Sequence, residues 1–71
     1  MDRVSVSSSN VAAVGYDQTS STLEVEFKSG SVYHYSGVPA QHFHALSGGS
    51  VSVGRYLNTE VKPHYRCEQV A

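Results

Sequence analysis

In the segment Leu23-Glu24-Val25-Glu26-Phe27-Lys28, apolar and charged residues alternate without interruption. Because side chains of a β-strand point alternately to its two faces, this pattern predicts a strand with one apolar and one charged face. The apolar face carries Leu23, Val25 and Phe27. This is the clearest secondary-structure signal in the chain, and the other elements are placed around it.

A second strand is predicted over Ser31-Val32-Tyr33-His34-Tyr35-Ser36, after a turn at Ser29-Gly30. A two-residue loop would require a positive φ at Ser29, which is unfavourable for a residue with a Cβ atom. A three-residue loop, Lys28-Ser29-Gly30, requires a positive φ only at Gly30. We therefore favour the three-residue loop.

The length of this loop sets the register of the hairpin. The three-residue loop pairs Leu23 with Tyr35 and Val25 with Tyr33, so both tyrosines join the apolar face. The two-residue loop shifts the register by one residue and would turn both tyrosines to the opposite face.

Two further strand signals precede the hairpin. Met1 to Asn10 is rich in serine, with valine at positions 4 and 6, and predicts a short edge strand or an ordered arm. Val11 to Tyr16 predicts a fuller strand, followed by a polar turn over residues 17–20.

Two short helices are predicted after the strands. Pro39 suits a first helical turn, and Ala40 to Ser47 carries apolar residues at spacings of three until Gly48-Gly49 ends the helix. A second helix is predicted from near Ser50 or Ser52 to about Glu60, before Pro63. Residues 65–71 are predicted to form a tail.

These elements predict the α+β class. We expect one small domain over residues 1–71, with a curled antiparallel sheet of three to four strands and two short C-terminal helices packed on it. A chain of this size buries only about 60% of its unfolded surface, so a second copy of the chain could add stability.

The composition of the 71 residues restricts the function. A net charge of −1 excludes binding of nucleic acid by bulk attraction, because counterion release needs many cations in one place. The single cysteine, Cys67, cannot form an internal disulfide. The N-terminus has no apolar run of signal-peptide length, and no run approaches 18 apolar residues. We therefore expect a soluble, cytoplasmic protein that does not insert into a membrane.

No pattern of residues predicts an enzyme, a metal site or a cofactor. His42 and His44, two positions apart on a helix, point about 200° away from each other and cannot share one ion. We expect the histidines to be exposed or half-buried. The chain contains no G-x-S-x-G turn, and Cys67 is expected to be a free surface thiol.

The segment Gly48-Gly49-Ser50-Val51-Ser52-Val53-Gly54-Arg55 has two interpretations. Serine hydroxyls and free N–H groups at a helix start, with Arg55 one turn on, could bind a phosphate. The alternative is an ordinary capped helix with a surface arginine. Gly54 costs about 1 kcal/mol in a helix relative to alanine, so we expect close packing or a close ligand there.

The tyrosines and the cations of the second half also suit a nucleic-acid ligand. Tyr33, Tyr35 or Tyr56 could stack on bases, although the favoured register assigns the first two to the core. Residues 50–71 carry three cations against two anions. These cations are Arg55, Lys62 and Arg66, and they predict weak, salt-sensitive binding of a polyanion.

Taken together, these motifs resemble those of the KTSC domain family. The family is named for its occurrence at the C-terminus of some lysyl-tRNA synthetases, and it is also found as a stand-alone small bacterial or phage protein. The resemblance rests on these segments: Ser8-Ser9, Val14-Gly15-Tyr16-Asp17, Leu23-Glu24-Val25-Glu26-Phe27, Gly30, Tyr33-His34-Tyr35, Val38-Pro39, Ser52-Val53-Gly54, Leu57-Asn58, Val61-Lys62 and Tyr65. The resemblance implies a domain of unknown function for which RNA binding has been suggested. It adds Asn58 to Tyr33, Tyr35, Ser52 and Gly54 as motif residues.

Three functions therefore stand as hypotheses. The first is a non-catalytic module that binds a nucleotide or RNA through the helix start and the tyrosines. The second is a phage-type homo-oligomer that sequesters a small nucleotide signal at subunit interfaces. The third is a protein-interaction module that docks a partner through a sheet edge.

Overall fold

Five strands and two short helical units make up the chain, as seen in a computed structural model that describes residues 2–71. The strands are β1 (Arg3–Ser5), β2 (Val11–Asp17), β3 (Thr22–Phe27), β4 (Val32–Tyr35) and β5 (Cys67–Gln69). The helices are α1 (Ala40–Ser47), α2 (Val53–Tyr56) and a π-helix (Leu57–Val61) that continues α2. All strands pair antiparallel in the order β1-β2-β3-β4-β5. The predicted α+β class is confirmed.

The sheet has five strands, so the prediction of three to four strands was wrong. The strand that the prediction omitted is β5. It lies in the segment predicted to be a tail, and it pairs with β4. The Val70 N–H donates to the Val32 carbonyl at 2.8 Å, and the Val32 N–H donates to the Ala71 carbonyl at 3.1 Å. The short segment Cys67–Gln69 has no apolar alternation, because its residues are exposed at the sheet edge.

The β3–β4 hairpin has the predicted three-residue loop and register. Leu23 pairs with Tyr35 and Val25 with Tyr33, and Gly30 has a φ of +100°. Both tyrosines therefore lie on the face of the sheet that carries the core. At the other edge, β1 forms the short edge strand that was one of the two N-terminal alternatives.

The first helix has the predicted bounds, whereas the second is shorter and changes type. It begins at Val53, with Ser52 as N-cap, and after Tyr56 it widens into the π-helix, where the Lys62 N–H donates to the Leu57 carbonyl at 2.8 Å. In an α-helix, residues four apart drift by about 40° around the axis. This drift still leaves residues four apart on one face of a helix, and Leu57 and Val61 are both buried.

The core lies between the sheet and the helices. It is formed by the following buried residues: Val11, Val14, Leu23, Val25, Tyr35, Val38, Leu46, Val53, Leu57 and Val61. Both helical units contribute to it, so they pack on the same face of the sheet. The opposite face carries the charged side of β3.

Candidate functional site

A groove of about 630 Å³ lies between the β3–β4 hairpin and the segment that leads from the π-helix into β5. It is lined by Phe27, Ser29, Ser31, Tyr33, Tyr35, Lys62, Tyr65 and Cys67, and we call it the tyrosine groove. The pairing of β5 with β4 places Cys67 directly opposite Tyr35. The edge strand β5 therefore forms one side of the groove, next to β4.

Aromatic rings form much of the groove. Phe27 and Tyr33 meet edge to face, with ring centroids 5.6 Å apart and an interplanar angle of 90°. Tyr35 is 2% exposed and belongs to both the core and the groove, whereas Tyr33 is only partly buried. The Tyr33 hydroxyl donates to the Gln69 side-chain carbonyl at 3.4 Å. Of the two tyrosines on β4, Tyr33 is thus the one whose ring remains partly accessible.

Lys62 supplies the positive charge of the groove. Its Nζ lies 5.9 Å from the centroid of the Phe27 ring, within the range of a cation–π contact. Ser29 and Ser31, on the hairpin loop, add hydroxyl groups to the lining. A cation, hydroxyl donors and aromatic surface therefore meet in one concave site.

The hydroxyl of Tyr35 stays protonated over a wide pH range. Burial, together with the neighbouring Cys67 and Tyr33, raises the pKa of Tyr35 to about 12. At neutral pH this group is therefore a hydrogen-bond donor without charge. Cys67 is a free, exposed thiol, as expected from the sequence.

Tyr65, another wall of the groove, is held by a buried histidine. His42 is 9% exposed, and its Nε2 lies 3.2 Å from the Tyr65 hydroxyl while its Nδ1 lies 2.7 Å from the Tyr56 hydroxyl. The expectation that all histidines are exposed or half-buried was therefore wrong for His42. Burial, and to a smaller degree Glu60, raise the pKa of Tyr56.

The structure brings together three of the ten predicted site residues. Tyr33, Tyr35 and Lys62 line the tyrosine groove. The others are Ser50, Ser52, Gly54, Arg55, Tyr56, Asn58 and Arg66, and they lie outside it. Tyr56 bonds to His42 instead of joining Tyr33 and Tyr35.

The predicted helix start differs from the expectation in two respects. Ser52 occupies the N-cap position, but its side chain makes no capping hydrogen bond. A Cβ atom at Gly54 would meet nothing within 4 Å, so close packing within the domain does not explain this glycine. The two residues are exposed or half-buried on a helix of four residues.

Sequence reasoning missed five of the groove residues, namely Phe27, Ser29, Ser31, Tyr65 and Cys67. The predicted hairpin already placed the first three next to Tyr33 and Tyr35, so this part of the site was within reach of the sequence. Tyr65 and Cys67 reach the groove because β5 pairs with β4, and β5 has no local strand signal.

The other face of the sheet carries a row of charged side chains. Glu24 is 8% exposed and accepts hydrogen bonds from Arg3 and from His34, whose Nε2 lies 2.7 Å from Oε1. Arg3 also pairs with Glu26 at 3.2 Å. The hydrogen bond from Arg3, and next that from His34, lower the pKa of the Glu24 carboxyl, against the opposing effect of burial. This row ties β1, β3 and β4 together.

In residues 2–71, no three His, Cys, Asp or Glu side chains lie together closely enough to hold a metal ion. No helix in this part of the chain has the length and apolarity needed to cross a bilayer.

The protein is a small α+β domain. Its five-stranded antiparallel sheet carries two helical units on one face and the tyrosine groove beside its last strand. The sequence model of the KTSC domain matches residues 7–65. The chain is 45% identical over 67 residues to an uncharacterized protein of Stutzerimonas stutzeri (strain A1501), covering 93% of each chain. It is also similar to a KTSC domain protein from Yersinia pestis, known from its crystal structure, with a TM-score of 0.87 and 32% identity, covering 99% of this chain and 97% of that one. The chain belongs to the KTSC domain family.

Proposed function

We propose that this domain is a non-catalytic module that binds a nucleotide unit, base and phosphate together, in the tyrosine groove. The unit belongs to a single-stranded RNA or to a free nucleotide, and the two share the same chemistry. The observation that supports this proposal is the position of Lys62, whose ammonium group lies 5.9 Å from an aromatic ring in the same groove as Tyr33.

The aromatic part of the groove suits a base. Tyr33 is partly exposed and held from the side by Phe27, so it offers a ring face in a fixed position. Stacking of a base on such a ring contributes about 1–3 kcal/mol and tolerates any base.

The polar part of the groove suits a phosphate. Lys62 is the only residue with a formal charge among the eight that line the groove, and Ser29 and Ser31 can donate hydrogen bonds beside it. One cation neutralises about one phosphate, so the logarithm of the affinity should fall with the logarithm of the salt concentration with a slope of about −0.7 for a single strand. We expect modest affinity.

The test compares two cations of the chain. Binding of a mononucleotide and of a short single-stranded RNA is measured by isothermal titration calorimetry for the wild type, Lys62→Gln and Arg55→Gln. We expect Lys62→Gln to weaken both ligands about tenfold, as for the loss of one charge-assisted hydrogen bond, and Arg55→Gln to leave them unchanged. Weaker binding by Arg55→Gln together with unchanged binding by Lys62→Gln would place the site at the start of α2 and contradict the proposal. No binding of either ligand to the wild type would also refute it.

A second candidate function rests on the edges of the sheet. Strands β1 and β5 are both exposed along their whole length, and β5 borders the groove. An extended segment of a partner protein could add to either edge through main-chain hydrogen bonds. Such binding would change little with salt, whereas binding of a nucleotide unit weakens as salt rises.

A further inference from the structure

A second cleft, separate from the tyrosine groove, lies between the end of β2 and the start of α1. It encloses about 490 Å³ and is lined by Tyr16, Asp17, Gln18, Ala40, Phe43 and His44. None of these residues lines the tyrosine groove. We call it the Asp17 cleft.

One wall of the Asp17 cleft is a fixed pair of aromatic rings. Tyr16 and Phe43 stack with centroids 5.7 Å apart and an interplanar angle of 18°. The Tyr16 hydroxyl donates to the Val38 carbonyl, which fixes the outer end of its ring. Both rings are partly buried, so part of this fixed aromatic pair remains accessible from the cleft.

Asp17 is the only Asp, Glu, Lys or Arg among the residues that line the cleft. Its Oδ1 accepts the Thr19 N–H at 3.0 Å, and the structure shows no partner for Oδ2 among residues 2–71. The start of α1, at Ala40, contributes about half of a positive charge at most, which is less than the full charge of the carboxylate. The cleft is therefore negative and holds a free acceptor.

We propose that the Asp17 cleft binds an arginine side chain of a partner protein. A guanidinium group is planar, stacks on aromatic rings and donates two parallel hydrogen bonds to a carboxylate. It is also more weakly hydrated than the ammonium group of lysine, so it loses less on entering a half-buried cleft. These properties match the stacked rings and the free acceptor of Asp17, and they do not depend on the function of the tyrosine groove.

The test uses three blocked tripeptides, Gly-Arg-Gly, Gly-Lys-Gly and Gly-citrulline-Gly, added to ¹⁵N-labelled protein at pH 8. Citrulline has nearly the shape of arginine without its charge. We expect the arginine peptide to shift the amide signals of residues 16–18 and 43–44, with at least about fivefold weaker binding of the other two peptides.

Two variants complete the test. Asp17→Asn retains an oxygen that accepts the Thr19 N–H, and its spectrum reports directly whether the fold is kept. We expect it to lose at least about fivefold in affinity for the arginine peptide, whereas the exposed Asp2→Asn changes nothing. Equal binding of arginine and citrulline, equal binding by both variants, shifts confined to other residues, or no binding would each overturn the proposal.

Discussion

The imidazole of His42, on α1, lies 3.2 Å from the hydroxyl of Tyr65, 23 residues later in the chain. Its other nitrogen lies 2.7 Å from the hydroxyl of Tyr56. Both ring nitrogens of His42 thus have a tyrosine hydroxyl as hydrogen-bond partner. Through His42, a wall of the tyrosine groove is tied to both helical units.

Loss of the His42 imidazole should destabilise the protein. His42→Leu keeps apolar volume but leaves two tyrosine hydroxyls without their partner, and we expect the free energy of unfolding to fall by about 1–3 kcal/mol in urea denaturation. The matched control is His44→Leu, two residues away on an exposed position of the same helix, with a change of at most about 0.5 kcal/mol. Equal effects of the two substitutions would contradict the role assigned to His42.

Truncation of Tyr35 should have one of the largest effects on stability. Its ring is 2% exposed, and removing a buried aromatic ring costs about 3–5 kcal/mol. We expect Tyr35→Ala to reduce the free energy of unfolding by this amount and Tyr33→Ala, at a partly exposed ring, by clearly less. Similar losses at both positions would show that the hairpin does not bury the two rings differently.

The stability of the protein should fall at high pH because Tyr35 ionises. The folded-state pKa of Tyr35 is raised to about 12, above the ordinary value of about 10, so its contribution is fully present below pH 10. It is lost as the pH rises from about 10 towards about 12, since the unfolded chain ionises first. Absorbance at 295 nm should show a tyrosine that titrates late, and Tyr35→Phe should remove this step.

At low pH, the protein should lose the stabilisation that the ionised carboxyl of Glu24 provides. The pKa of its carboxyl is reduced in the folded protein by the hydrogen bond from Arg3 and then by that from His34. Its contribution is therefore present above the ordinary pKa of about 4.3 and is lost as the pH falls through the lower folded value. The stability difference between wild type and Glu24→Gln should be constant near neutral pH and shrink below about pH 4. Exposed Glu60→Gln serves as the control and should show no such trend.

Two glycines should respond in opposite directions to the same substitution. A Cβ atom meets nothing within 4 Å at either Gly30 or Gly54, so packing plays no part. Gly30 has a φ of +100°, and we expect Gly30→Ala to destabilise by about 1–2 kcal/mol. Gly54 has helical backbone, and Gly54→Ala should stabilise by about 0.5–1 kcal/mol. Thermal melts of the two variants check the sign directly.

The elements with a strong local signal were predictable from the sequence. Strict alternation over Leu23 to Lys28 predicted β3, and the need for a positive φ at Gly30 selected the register that the structure shows. Pro39 marked the start of α1 and Gly48-Gly49 marked its end, where Gly49 has a φ of +79°.

Elements that depend on distant partners were not predictable. β5 has three exposed residues and forms because β4 offers a free edge, which no local pattern records. The π-helix has no local signal either, because Leu57 and Val61 would share one face of an ordinary α-helix as well. The groove escaped prediction for the same reason, because its two walls come from residues 27–35 and 62–67.

The late position of β5 in the chain has a consequence for biosynthesis. Strands β1 to β4 pair with their neighbours in sequence through short turns, whereas β5 joins β4 only after residues 36–66 have been made. Contacts between distant segments are slower to form, because closing the longer loop loses more chain entropy. On the ribosome, the residues of β1 to β4 leave the exit tunnel before Cys67 does. We therefore expect the tyrosine groove to be the last part of the domain to form, since it needs Tyr65 and Cys67.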